Sequence, residues 1–117
     1  MMKKTDRIKQ EKAEAKQGDF FFALFVTNDG KLRERPVFVA GAKGNDSEDV
    51  IICSCTTSPP RDPDFDKKVI LKRETYVRTN KLYTIRRDDL INKLRQGASP
   101  EDIQGIVNQI KMSFDDI

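Results

Sequence analysis

The patterned part of the chain opens on a continuous apolar run. Residues 20–26 read FFFALFV, bounded by Gly18 and by the TNDG turn signal of residues 27–30. A run this short, rich in aromatics and closed at both ends, predicts a strand buried on both faces. The Asp29–Gly30 pair predicts a tight turn behind it. Pro36 then sets the entry to VFVAG at 37–41. Lacking a backbone N–H, it must stand at the start or the edge of a strand. VIICSC at 50–55 is a third β-rich run, reached through the polar loop AKGNDSED.

The second half alternates faster. TTSPPRDPDFDKK carries three prolines and reads as a loop. VILKRE, TYVRTN and KLYTI each suit a short strand, with polar joins. In RRDDLINKLRQG, Leu90, Ile91 and Leu94 share one face at helical spacing, and Gly97 suits the position just past a helix end. ASPEDIQGIVNQIKMSF is the clearest helix. Ser99 is its N-cap, Pro100 its first residue, and Asp102 completes a capping-box pattern. Ile103, Ile106, Val107, Ile110 and Phe114 form its apolar stripe. Residues 1–17 have almost no apolar periodicity and read as a charged tail or solvated helix before a single domain over 18–117. Five to seven short strands followed by two helices predict a mainly β chain of the α+β class, an antiparallel sheet or small barrel with C-terminal helices.

Composition narrows the chemistry. The chain of 117 residues is 37% hydrophobic and 35% charged, which predicts one domain with a modest core. Its formal net charge of +3 is too mild to demand a polyanionic partner by itself. Residues 61–95 are more biased, with eleven Lys/Arg against six Asp/Glu, a candidate phosphate-tracking surface. No apolar run approaches a membrane span, and the first residues lack the apolar stretch of a signal peptide, so a cytoplasmic protein with no membrane partner is expected. The chain has no histidine, which removes His-based acid–base chemistry and the Ser–His or Cys–His constellations. Cys53 and Cys55, two apart in a strand, point to one face and are read as small buried hydrophobes; with no histidine and no other cysteine they make no zinc site. No metal and no cofactor are expected.

Four strings in order carry a family resemblance: GDFFFALF, RERPVFVAG, VIICSCTTS and YVRTNKLYTIRRDDL, followed by a terminal helix. Together they resemble the MazF/PemK toxin endoribonucleases over about residues 17–114. The resemblance implies a small SH3-like barrel, usually a homodimer, that cleaves single-stranded RNA without metal and is inhibited by a cognate antitoxin peptide.

The resemblance also names candidate residues. Arg35 matches the family's arginine before proline, and its fork could pair with two oxygens of a scissile phosphate. Thr56 matches the active-site threonine, and Thr57 its hydroxyl-bearing neighbour. Arg78 matches the arginine of an Arg-x-Asp pair, but Asn80 stands where the aspartate would be. An amide is no general base, which leaves open a weak or inactive barrel that binds RNA or a partner peptide. Residues before Pro36 could substitute as base: Glu34, adjacent to Arg35, is the candidate, with Asp29 close in sequence. Tyr83, where the family often has arginine, could stack a base or fill the barrel wall. Asn80, Lys81, Arg61 and Phe65 complete the candidate RNA-binding set, and Arg33 is read as a loop charge.

Overall fold

The computed structural model describes residues 3–42 and 47–114. The centre of the loop expected at 42–49 lies outside them. In chain order the elements are α1 (Lys4–Ala13), β1 (Phe20–Val26), β2 (Leu32–Gly41), β3 (Asp49–Thr56), β4 (Asp66–Ile70), β5 (Glu74–Arg86), a 3-10 turn (Arg87–Asp89), β6 (Leu90–Leu94) and α2 (Pro100–Met112). The six strands form one sheet in the order β4-β5-β3-β2-β1-β6, with antiparallel neighbours throughout. The expected fold class and strand number are observed. The sheet is open, however: β4 and β6 end the order and do not pair with each other to close a barrel.

Strand alternation divides the core into two layers. Phe21, Ala23 and Phe25 of β1 share an inner layer with Val37 and Val39 of β2, Val50 and Ile52 of β3, Ile85 and Leu90. The alternate residues Phe20, Phe38, Cys53 and Cys55 face outward, where Ile106, Val107 and Ile110 of α2 cover them. The Phe20 and Phe38 rings meet edge to face at 5.2 Å. β1 is therefore buried on both faces at its start, as predicted, but not at its end, where Leu24 and Val26 are exposed.

α2 begins as its sequence dictates. The Asp102 N–H donates to Ser99 Oγ at 3.1 Å, and the Ser99 N–H donates back to Asp102 Oδ2 at 3.2 Å. Ile106, Val107 and Ile110 are buried, whereas Phe114 lies past the helix end and is exposed. The stripe is thus one residue shorter than its period suggested.

Two expectations are corrected. The segment read as a helix over RRDDLINKLRQG is the 3-10 turn and β6. β6 pairs with the free edge of β1, Phe20 to Leu94 and Ala23 to Leu90, and a register shift leaves Ile91 without a partner. That shift sends Leu90 to the inner layer and Leu94 to the outer one, so a spacing of four that suits a helix serves both faces of a strand. TYVRTN and KLYTI are not separate strands but one strand, β5.

The charged N-terminal stretch takes the helical form. α1 buries no residue of its own but packs against β6. The Arg87 guanidinium donates to the carbonyls of Lys12, Ala13 and Ala15 at 3.1, 3.2 and 2.9 Å. A cation at a helix C-terminus satisfies carbonyls that have no intrahelical donor. Among the described residues no helix is long and apolar enough to cross a membrane.

Candidate functional site

The inner layer changes character at one end of the sheet. On β2 the face that carries Val37 and Val39 continues backwards as Arg35 and Arg33. On β3 the face that carries Val50 and Ile52 continues forwards as Ser54 and Thr56. Val37 pairs with Ser54, and carrying that register two residues toward the strand ends sets Arg35 beside Thr56. Both line a cavity of ≈ 350 Å³.

β5 supplies the opposite wall through a break in its pairing. Cys53 pairs with Leu82 but Cys55 pairs with Val77, so Ser54 alone faces the four residues Arg78–Lys81. The displaced segment is pinned at Thr79, whose N–H and hydroxyl both donate to the Phe65 carbonyl, at 3.1 and 2.5 Å. This bend brings Arg78 and Lys81 to the groove, with Tyr83 beyond them. The Tyr83 ring is half-buried and meets Phe25 edge to face at 5.0 Å.

The remaining walls are turns. Thr27, Asn28 and Asp29 come from the β1–β2 turn, and Ser58 and Arg61 from the loop after β3. That loop is held from inside: the buried Asp66 carboxylate accepts the Arg61 and Asp62 N–H groups at 2.9 and 3.2 Å. Thr56 Oγ1 accepts the Ser58 N–H at 3.1 Å. Its own O–H has no acceptor among the described residues and is left to donate into the groove.

The electrostatics are one-sided. Among the described residues five cations line the groove (Arg33, Arg35, Arg61, Arg78 and Lys81) against one carboxylate, Asp29. Asp29 is engaged three times. It accepts Arg33 Nη2 at 2.8 Å, the Thr27 hydroxyl at 2.5 Å and the Lys31 N–H at 3.1 Å. The Arg33 guanidinium first, then the hydroxyl and the backbone N–H, hold its carboxyl well below the usual carboxylate range. Among the described residues no carboxylate pairs with Arg35, Arg61, Arg78 or Lys81. Arg78 Nε is buried and has no hydrogen-bond partner among them. Burial pushes the Cys53 thiol up to about 12 and drives Cys55 well above its ordinary value, so neither offers a thiolate.

Of the expected residues, the structure brings together Arg35, Thr56, Arg78, Arg61, Lys81 and Tyr83. Thr57, Asn80 and Phe65 do not line the groove, and neither does Glu34. Glu34 pairs with Leu24 on the other face of the β1–β2 ladder, which turns it away from Arg33 and Arg35. Asp29, weighed as a substitute base, does line the groove, whereas Arg33, Thr27, Ser54 and Ser58 were not singled out for the site. For Arg33 a signal existed, its period of two with Arg35; for Ser54 it was its period of two with Thr56.

Fold and groove together define a small open antiparallel-sheet protein with a cation-lined cleft at one end of its inner layer. No family model and no curated protein matches the sequence. Solved structures do match. The Mycobacterium tuberculosis toxin MazF-mt6 superposes with a TM-score of 0.65 at 16% identity, covering 83% of this chain and 96% of that one. An endoribonuclease in complex with its cognate antitoxin, from a mycobacterial species, gives 0.65 at 14% identity over 86% and 95% of the two chains. A further mycobacterial endoribonuclease gives 0.60 at 15% identity over 86% and 91%. The chain has the fold of the MazF toxin endoribonucleases, and the resemblance carried by its four strings is matched at the level of the fold.

Proposed function

We propose that the protein is a MazF/PemK-like toxin that cleaves single-stranded RNA, with the groove between Arg35, Thr56 and Arg78 as its active site. One observation carries the reading: a buried, unpartnered Arg78 Nε in a cleft where five cations meet a single, already neutralised carboxylate. An excess of unpaired cations favours an anion, and a phosphodiester supplies acceptors on both sides.

The reaction needs no metal. The RNA 2′-OH gives its proton to solvent and attacks the adjacent phosphorus, the 2′-O–P bond forms, the P–O5′ bond breaks, and the leaving 5′ oxygen takes a proton from solvent. A 2′,3′-cyclic phosphate and a free 5′-OH result. Arg35 and Arg78 stabilise the charge that grows on the phosphorane, and the Thr56 hydroxyl donates to one of its oxygens. Tyr83 offers its ring to a base, and Lys81 and Arg61 track the flanking phosphates. In this reading the protein is cytoplasmic and acts as a homodimer, and an antitoxin peptide occupies the same cationic groove. The antitoxin complex of the second solved relative supports that partner.

A second reading is favoured by a specific feature: among the described residues the groove holds no free carboxylate. Asp29 is locked, Glu34 faces away, and Asn80 cannot take a proton. The chain would then bind RNA or a partner peptide with little or no cleavage. Incubating purified protein with a long RNA in EDTA separates the two. Fragments ending in a cyclic phosphate, abolished by Arg35→Ala and by Thr56→Ala, support the nuclease. Binding without fragments supports the second reading, and cutting by Arg35→Ala at the wild-type rate sinks the proposed site. Sedimentation at tens of micromolar tests the dimer.

A further inference from the structure

Arg33 was expected to be a loop charge. The structure puts it on the groove face of β2, two residues from Arg35. Its guanidinium is not free to wander: Nη2 is fixed on Asp29 Oδ2 at 2.8 Å, while the other Asp29 oxygen is tied to Thr27 and Lys31. The turn, the carboxylate and the arginine therefore form one unit. The donors of Arg33 that Asp29 does not use have no acceptor among the described residues.

Spacing gives the unit a use. Residues two apart on a strand lie about 6.8 Å apart along one face. Successive phosphates of an extended single strand repeat on the same scale. With one phosphate on Arg35, the next therefore falls within reach of Arg33. We infer that Arg33 is a second phosphate-binding residue of the groove, and that Asp29 is its positioning residue, aiming the guanidinium at the nucleotide beside the scissile one. This rests on the RNA reading of the groove and adds to it a subsite and a direction: the strand runs along β2 from Arg35 toward the β1–β2 turn. Asp29 is thereby a built-in counter-ion rather than a catalytic base.

The test is the salt dependence of binding. A single-stranded oligoribonucleotide of mixed sequence, 2′-O-methylated at every sugar so that it cannot be cut, is titrated by fluorescence anisotropy at several salt concentrations. Each phosphate contact contributes about 0.7 to the slope of log K against log salt for single strands. Arg33→Ala is expected to lower the slope by that amount, and Arg33→Lys to keep it. Lys68→Ala, which removes one positive charge outside the groove, is expected to leave it unchanged. Asp29→Asn should weaken binding, and the double variant Asp29→Asn/Arg33→Ala should bind as Arg33→Ala does, because the carboxylate acts through the arginine. Thermal melts verify that each variant is folded. A wild-type slope in Arg33→Ala overturns the inference while the RNA reading stands. Additive losses in the double variant overturn the positioning role of Asp29. Wild-type protein that binds the probe without salt dependence overturns the RNA reading itself, and the subsite with it.

Discussion

Replacing Arg78 by methionine should make the protein more stable and less active. The buried Arg78 Nε has no hydrogen-bond partner among the described residues. Leaving a buried donor unsatisfied costs about 1–3 kcal/mol, and more for a charged group. Methionine keeps much of the aliphatic stem and removes the donor and the charge, so Arg78→Met should raise stability by about 1–3 kcal/mol. For a chain of this length each kcal/mol moves Tm by roughly 4 °C, which calorimetry resolves easily. The same substitution removes a cation from the groove wall. Losing one preorganised donor to a developing oxyanion typically costs about 100-fold or more in kcat. The paired assay is calorimetry beside cleavage of a fluorogenic RNA in EDTA. A lower Tm would show that Arg78 is structural, held by contacts worth more than its desolvation. A higher Tm with full activity would show that its unpaired nitrogen serves nothing in the groove.

Three other outcomes follow from the same geometry. The Cys53 thiol is raised from 9.0 to about 12 by burial, so the unfolded chain loses its proton first as pH rises. Its contribution to stability is therefore intact below pH 9.0 and falls away between 9.0 and about 12; the stability gap between wild type and Cys53→Ala in urea melts should be constant below that window and shrink across it. Arg87→Ala removes the Nη1 donor shared by three carbonyls at the end of α1, so amides of residues 4–13 should exchange faster while those of β2 and β3 do not. Gly18 adopts φ +98, and a Cβ there would meet Ile103 Cγ2 at 3.1 Å; Gly18→Ala should cost roughly 1–2 kcal/mol for the backbone alone, and an unchanged denaturation midpoint would refute it.

What was legible in the sequence is what local chemistry decides. The α2 cap needs only residues three apart, so Ser99, Pro100 and Asp102 announce it, and the apolar runs at 20–26 and 50–55 announce strands. β6 was not legible, because Leu90 and Leu94 suit a helix until the unpaired edge of Phe20–Ala23 claims them; that edge is tertiary information. β5 was read as two strands because TNK breaks its apolar pattern, and TNK is where the ladder opens. The candidate site shows the same division. Arg35, Thr56 and Arg78 came from motifs, whereas Arg33 and Glu34 look alike in a charged string. Only the pleat, fixed by the pairing of Val37 with Ser54, turns one into the groove and the other out of it.

The lack of a free base in the groove has a measurable consequence. A carboxylate serving as general base would be ionised well below neutrality, and log kcat/KM would be flat between about pH 6 and 9. Among the described residues the one carboxylate lining the groove is Asp29, and Arg33, Thr27 and Lys31 stabilise its charged form, which leaves it a weak proton acceptor. In the proposed nuclease reading the 2′ proton then leaves to solvent hydroxide while Arg35, Arg78 and Thr56 stabilise the phosphorane. Cleavage should in that case rise about tenfold per pH unit over the same range. Arg35→Ala should lower the whole line without changing its slope, since an arginine that only stabilises charge sets the height of the barrier and not its proton dependence. A flat profile would refute this division of labour. It would mean that a carboxylate does take the proton, and Asp29→Asn would then have to abolish cleavage, rather than only weaken binding at the neighbouring phosphate.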